Sequence, residues 1–485
     1  MQLPFGEWLP DQPDHLKGGA NIAKNVYHAK QSYKPVKSLV PYSSNTIVSA
    51  CLGAGSFRDG SNSVFNFAAS ATDIYQLASG TFTSRKGSLT GDATDFFTFT
   101  QFGNYVIVSN GVDDPLYYLM GTSTNFADLS AIATAGTPPV FRVSGVIRDF
   151  LVVGNLPTNT NRVQWSGIND ITTWTPGTKL ADYQDLPGSG GQIVHITSGE
   201  VGYIFRQNQI IRMDFVGGAT VFRFSVISSN RGAVYGRTVT QNDRNVFFYS
   251  DDGFYQISGD TLNPIGAERV NRHFDNDLNK AYTDRISAAV DPFNQLAIWS
   301  YVSKRSTTAN PDSLIIYNYV TQKWTYASIG ASTIFTQFFG AYTVETMDVI
   351  SENLEDINIS LDTDFWSGGQ LYLGAIDSNF KAAIFSGTPL EAEIETDELE
   401  LVPGKRVSII GVRPIIDAIT TVTIKTREKL SDTVVESTSG STNASGINPV
   451  RASGRYVRAN VKVSAGVGWN DAQGIDIIAS QAGTR

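Results

Sequence analysis

The chain has 485 residues and a formal net charge of −9, from 37 basic and 46 acidic residues. That length excludes a single small core and calls for a large repetitive domain with satellites, or for two to three domains. Charged residues make up only 17% while glycines number 44, which favours many short strands and tight turns over long charged helices. The acidic balance argues against a conventional nucleic-acid binder, whose affinity comes from Lys and Arg displacing counterions, though not against a surface that DNA slides past.

The single cysteine, Cys51, excludes an intrachain disulfide and a cysteine-based zinc cluster. The opening MQLPFGEWLPDQPD has neither a basic n-region nor an apolar h-region and is not expected to act as a secretory signal. No run approaches the roughly 18 apolar residues of a membrane-spanning helix.

Taken in chain order, residues 1–45 read as an extended, proline-rich arm. Pro4, Pro10, Pro13, Pro35 and Pro41 punctuate it, each removing an amide donor and biasing its predecessor to extended geometry. Trp8, Tyr27, Tyr33 and Tyr42 give it apolar anchors, so it should lie along another surface, a neighbouring copy being one that suits it.

From 46 to 388 a unit recurs: an apolar strand, a polar turn with Asn, Asp or Gly, and a second apolar strand. Copies are VFNFAASATDIYQLASGTFTS (64–84), FFTFTQFGNYVIVSN (96–110), FRVSGVIRDFLVVGN (141–155) and IVHITSGEVGYIFRQNQIIRMDF (193–215). They continue with TVTQNDRNVFFYSDDGFYQIS (238–258), with 286–303 completed by 313–329, and with a more distant copy at 365–387. A spacing of roughly 45 residues is the blade period of a β-propeller, and six to seven blades are expected. In Tyr105-Val106-Ile107-Val108 and Val246-Phe247-Phe248-Tyr249, apolar residues cover both strand faces, as blade-on-blade packing requires.

Two segments interrupt the rhythm. Near 267–283, Val270, Phe274, Leu278 and Tyr282 fall at steps of four, predicting a helix packed between blades. An acidic insertion near 346–364 reads as an outward loop. After Pro389 four alternating segments predict a small antiparallel β-sandwich-like module over 389–485, with a flexible Ser/Thr/Asn/Gly tract at 436–446. The fold class is therefore all-β: a β-propeller-like core, an extended N-terminal arm and a C-terminal module.

Chemistry is sparse in this text. Of His15, His28, His195 and His273, none forms an HExxH or stands at metal-ligand spacing from another, and no G-x-S-x-G elbow is present. Gly188, Gly190 and Gly191 precede Gln192 and Ile193 at the start of a strand, where a phosphate loop needs a helix with Lys and Ser/Thr; a tight turn between blades fits better. Asp113/Asp114, Asp251/Asp252 and Asp362/Asp364 are paired acids of the kind that serve a glycosidase or calcium. Ser250, Asp252 and Gly253 approach the Asp-box of sialidases, but with Gly one place early and no Trp following. Lys and Arg concentrate in KTREK (425–429) and in Arg451, Arg455 and Arg458, where a solvated face and a match to a partner's carboxylates both stay open. Catalytic residues, cofactor and metal are assigned to none of these positions.

The runs GEWLPDQPDHLKGGANIAKNVYH and SYKPVKSLVPYS, then VQWSGINDITTWTPGTKLADYQDLPGSGGQIVHITSGEVGYIFRQNQIIRMDFVGG (163–218), resemble tail nozzle proteins of short-tailed bacteriophages, also described as packaged-DNA stabilisation proteins. NRGAVYGRTV (230–239), FFYSDDGFYQISGDTLNPIGAERVNRHF (247–274) and DRISAAVDPFNQLAIWSY (284–301) continue the likeness. The resemblance spans residues 1 to about 330 and fades beyond. It implies a non-enzymatic virion protein made in the host cytoplasm. It also implies a homohexameric ring below portal and adaptor that contacts the adaptor and tail fibres or needle, and passes duplex DNA without reading its sequence. A tail-tip glycan-binding or glycan-cleaving propeller is the alternative.

Overall fold

A computed structural model describes residues 1–15, 18–218, 220–338 and 371–481. The fold is nearly all β. Among the described residues seven four-stranded antiparallel units succeed one another along the chain, and the first strand of each lies innermost: Gly53–Arg58, Thr98–Phe102, Val143–Ile147, Ile193–Ile196, Thr240–Asn242, Ser287–Asp291 and Thr333–Phe338. Inner strands of successive units pack beside one another, units four and five meeting through the 3-10 turn Gly236–Thr238 that leads into the inner strand of unit five. The inner strand of unit seven lies against those of units six and one, closing a propeller-like ring. We call these units blades 1 to 7.

The apolar runs do what both-face burial predicts. Val106 and Val108 join the core between blades 1 and 2, while Ile107 between them joins the core shared with blade 3. Val246 and Phe248 face blade 4, whereas Phe247 and Tyr249 face blade 6. Each large side chain so buried contributes about 1.5–3 kcal/mol, so every gap between blades is a hydrophobic core in its own right.

The first 45 residues supply strands to three sheets. Val40–Pro41 forms the outermost strand of blade 7, pairing with Ala382–Ile384, so the last blade is completed by the beginning of the chain. Ala20–Lys24 lies between the outer strand of blade 6, Lys323–Ala327, and Ala392–Thr396 of the C-terminal module, merging them into one ten-stranded sheet. Gln2–Pro4 and Ser32–Pro35 pair with Ala472–Gln481, the latter as a hairpin with Val26–Ala29, in a second, six-stranded sheet. The surface this arm lies along is thus its own chain. Trp8 is buried against Tyr326, 4.6 Å between ring centroids, and Tyr33 donates to Gly6 O at 2.6 Å. Docking within one chain costs no rotational and translational freedom, so these anchors are used up before any neighbouring copy is met.

Two local expectations need correction. The predicted helix is shorter than its stripe: α-helix runs only over Asn271–Asp277, Leu278 turns extended to bridge Ser303, and Lys280–Arg285 continues as 3-10 turns with Asn279 capping Ala281 N. Phe274 still fixes it between blades 5 and 6, against Tyr249, Phe254 and Tyr301. The tract at 436–446 is not one loop, because Val435–Thr438 is an edge strand paired with Thr423–Thr426 and Asn443 then closes a turn to Ser445 and Ile447. The acidic insertion near 346–364 lies outside the described residues.

Candidate functional site

The four histidines are dispersed. His15 donates from Nδ1 to Glu398 O at 3.0 Å, and its ring sits edge-on to Tyr456. His28 is buried and accepts at Nε2 from the Lys323 ammonium, 3.0 Å away; burial first, then that ammonium, pull it down to about 4. His195, on the inner strand of blade 4 against Phe205, is likewise drawn to about 4 by burial. His273 packs edge-on to Trp8, and burial lowers it too. Among the described residues no three His, Cys, Asp or Glu side chains are grouped to hold a metal ion.

The glycine-rich run 186–191 wraps a side chain of its own chain. Arg206, fully buried, donates from Nε to Gly191 O (2.8 Å), from Nη1 to Pro187 O (2.8 Å) and Gln209 Oε1 (2.7 Å), and from Nη2 to Gly188 O (3.1 Å). A Cβ on Gly190 would stand 2.9 Å from the Arg206 guanidinium carbon, which is why glycine is needed there. The loop's carbonyls therefore point at a cation, the reverse of a phosphate cradle, whose N–H groups face an anion.

The paired acids are engaged locally. Asp113 accepts from Thr90 N and Oγ1 and from Asn110 Nδ2. Asp252 is held by Arg231 Nε at 2.8 Å and Tyr255 OH at 2.8 Å, and Asp251 accepts from Ser250 Oγ. The Asp-box-like turn is a latch. Asn271, opening the helix, accepts from Phe254 N and donates to Asp252 O, and a Cβ on Gly253 (φ +134°) would lie 1.8 Å from Asn271 Nδ2. Asp362 and Asp364 lie outside the described residues.

The basic clusters divide. Arg451 is exposed, and the Arg455 amide donates to Arg427 O at a turn. Arg458 instead enters a buried network: Lys425 Nζ lies 2.6 Å from Glu395, Arg427 grips both oxygens of Glu398, and Arg458 lies 3.5 Å from both Glu395 and Asp14. Gly18 N adds a bond to Asp397. The carboxylates that these cations face belong to the same chain, and the contacts of Asp14 and Gly18 tie the N-terminal segment to the module.

The arrangement with chemical potential is one that sequence reasoning missed. Residues just before the inner strands gather at one mouth of the propeller axis. Arg237 enters blade 5 there, yet its guanidinium covers the Phe96 ring at 4.1 Å beside blade 2, donates to Asp284 O (3.2 Å) before blade 6, and approaches Thr333 Oγ1 (3.5 Å) in blade 7. Blades 2 and 5 stand nearly opposite in a seven-membered ring, so this side chain crosses the axis. Burial pulls it down to about 10, yet part of its surface stays accessible, as for a group lining an axial space. An arginine three residues ahead of an inner strand, in the turn Gly236–Thr238, was the only sequence signal.

No family model matches the chain, and no curated protein does. Among solved structures, the extracellular domain of BT4673 from B. thetaiotaomicron is similar at 11% identity and a TM-score of 0.40, over 72% of this chain and 40% of that one. The mitotic checkpoint complex gives 10% identity and 0.41, over 74% of this chain and 98% of the other. U3-55K gives 9% and 0.37, over 62% and 88%. The chain thus spans less than half the length of the first of these, and likenesses at this level carry nothing about activity or partners.

Proposed function

We propose that this chain is a structural subunit of a ring-shaped tail nozzle of a short-tailed bacteriophage, acting by assembly, retaining packaged DNA and conducting it at ejection. One observation carries the reading. The runs that resemble nozzle proteins occupy the N-terminal strands and blades 3 to 6, and among these the N-terminal strands and blades 5 and 6 interlock in the largest buried cluster, which they share with the C-terminal module. A second supports it: the propeller axis is crossed by Arg237, so a duplex roughly 20 Å across does not pass within one subunit. A conduit has to be enclosed by several copies, and heterologous contacts that close on themselves give such rings.

Mass photometry and negative-stain microscopy test this, on the purified chain and on particles assembled with portal and adaptor. The expected result is a closed ring of identical copies, six by the resemblance, whose hole exceeds about 20 Å. A chain that stays monomeric in both settings overturns the reading. The alternative of a glycan-cleaving propeller is weaker, because Asp252 is already committed to Arg231 and Tyr255.

A further inference from the structure

We propose that the axial mouth beside Arg237 is a binding site for a small oxyanion, a phosphate or a carboxylate. Arg206 and Arg237 both lie deep in the propeller, and no carboxylate of the described residues pairs with either. A guanidinium carries five N–H donors in a planar fork. Around Arg206 four acceptors close on that fork at 2.7–3.1 Å, three of them carbonyls. Around Arg237 there are two, at 3.2 and 3.5 Å, and one face of the guanidinium lies over the Phe96 ring. The first arginine is a closed structural element; the second is open.

Charge points the same way. Arg285 stands close enough to repel Arg237, and among the described residues Asp284, 3.3 Å from Arg285 Nε, is the one carboxylate at hand for the two. Arg285 Nε is itself buried without a hydrogen-bond acceptor. The remaining ionisable neighbour, the Cys51 thiol, is pushed up by burial and stays neutral. Two guanidiniums facing one carboxylate leave a net positive charge in a confined space. Water supplies acceptors there but no countercharge, whereas an oxyanion supplies both and presents two oxygens to the fork. The site stands independently of the nozzle reading.

Isothermal titration calorimetry of the full chain, with inorganic phosphate and separately with acetate in chloride buffer of matched ionic strength, tests it. Saturable binding at one site per chain is expected, with the two arms deciding between phosphate and carboxylate. Affinity should fall at least about tenfold in Arg237→Gln and in Arg285→Gln, and stay unchanged in Arg451→Gln, an exposed arginine of the module. Absence of saturable binding of either anion to the wild-type chain overturns the proposal whether or not the variants fold. Equal affinity in a folded Arg237→Gln or Arg285→Gln protein does so as well.

Discussion

Arg206 shows how far a single side chain organises its surroundings. Three carbonyls and one amide oxygen are satisfied by its donors alone. Arg206→Met would leave them desolvated and unpaired, so a cost of about 2–4 kcal/mol is expected in urea unfolding. A loss below 0.5 kcal/mol, roughly that of an ordinary surface change, would mean the loop closes without it. The histidines give a pH dependence. His28 and His195 are held near 4 by burial, against an ordinary value of 6.5. Between those values the unfolded chain binds protons that the folded chain refuses, so stability rises with pH across the window. It is complete above about 6.5 and is lost as pH falls toward 4. Urea midpoints should therefore drop from pH 7 to pH 4.5, and the drop should be smaller in His28→Gln; an equal slope in that variant would remove His28 from the account. None of this was legible from the four scattered histidines, because burial depends on which blade covers which.

At the scale of elements, blade 7 is the point of closure. Its outer strand is only Val40–Pro41, yet Val40 is buried with Tyr42, Phe82 and Ile384. Val40→Asp places an unpaired carboxylate in that cluster and is expected to cost about 3 kcal/mol or more. Amides of Ala382–Ile384 should then exchange faster by hydrogen–deuterium mass spectrometry, while Phe150–Leu156 in blade 3 stays protected. Uniform loss of protection would show that closure and the other blades are a single cooperative unit. The repeating blades were legible in sequence, since runs such as Phe150–Leu156 are apolar on both faces and sit at regular spacing. The N-terminal strands were not, because Ala20–Lys24 and Gln2–Pro4 meet partners at 392–396 and 474–476, and short polar-flanked segments carry no mark of so distant a partner. The helix was read too long, over 267–283 where it runs only from Asn271 to Asp277, for a related reason: Leu278 keeps the apolar spacing but gives its backbone to a bridge with Ser303.

For the whole molecule, the continuous core matters most. Trp299, Trp324 and Phe254 of blades 5 and 6 belong to the same buried cluster as Val407, Val422 and Ile475 of the C-terminal module. The ten-stranded sheet runs through both. Calorimetric unfolding should accordingly show one transition, because neither part keeps a complete core when the other is lost. Two resolved transitions would assign each part its own stability.

Spacing, turn residues and two-faced apolar strands were enough, by themselves, to give an all-β chain of propeller-like blades. Those properties are local: each strand declares its faces within a few residues. Only the tertiary structure decided that the first 45 residues close the last blade and bind the module to blade 6, that a glycine-rich turn encloses Arg206, and that Arg237 crosses the axis. All three depend on groups far apart in sequence converging on one place, and the free energy of such convergence, unlike strand alternation, leaves no periodic trace in the order of residues.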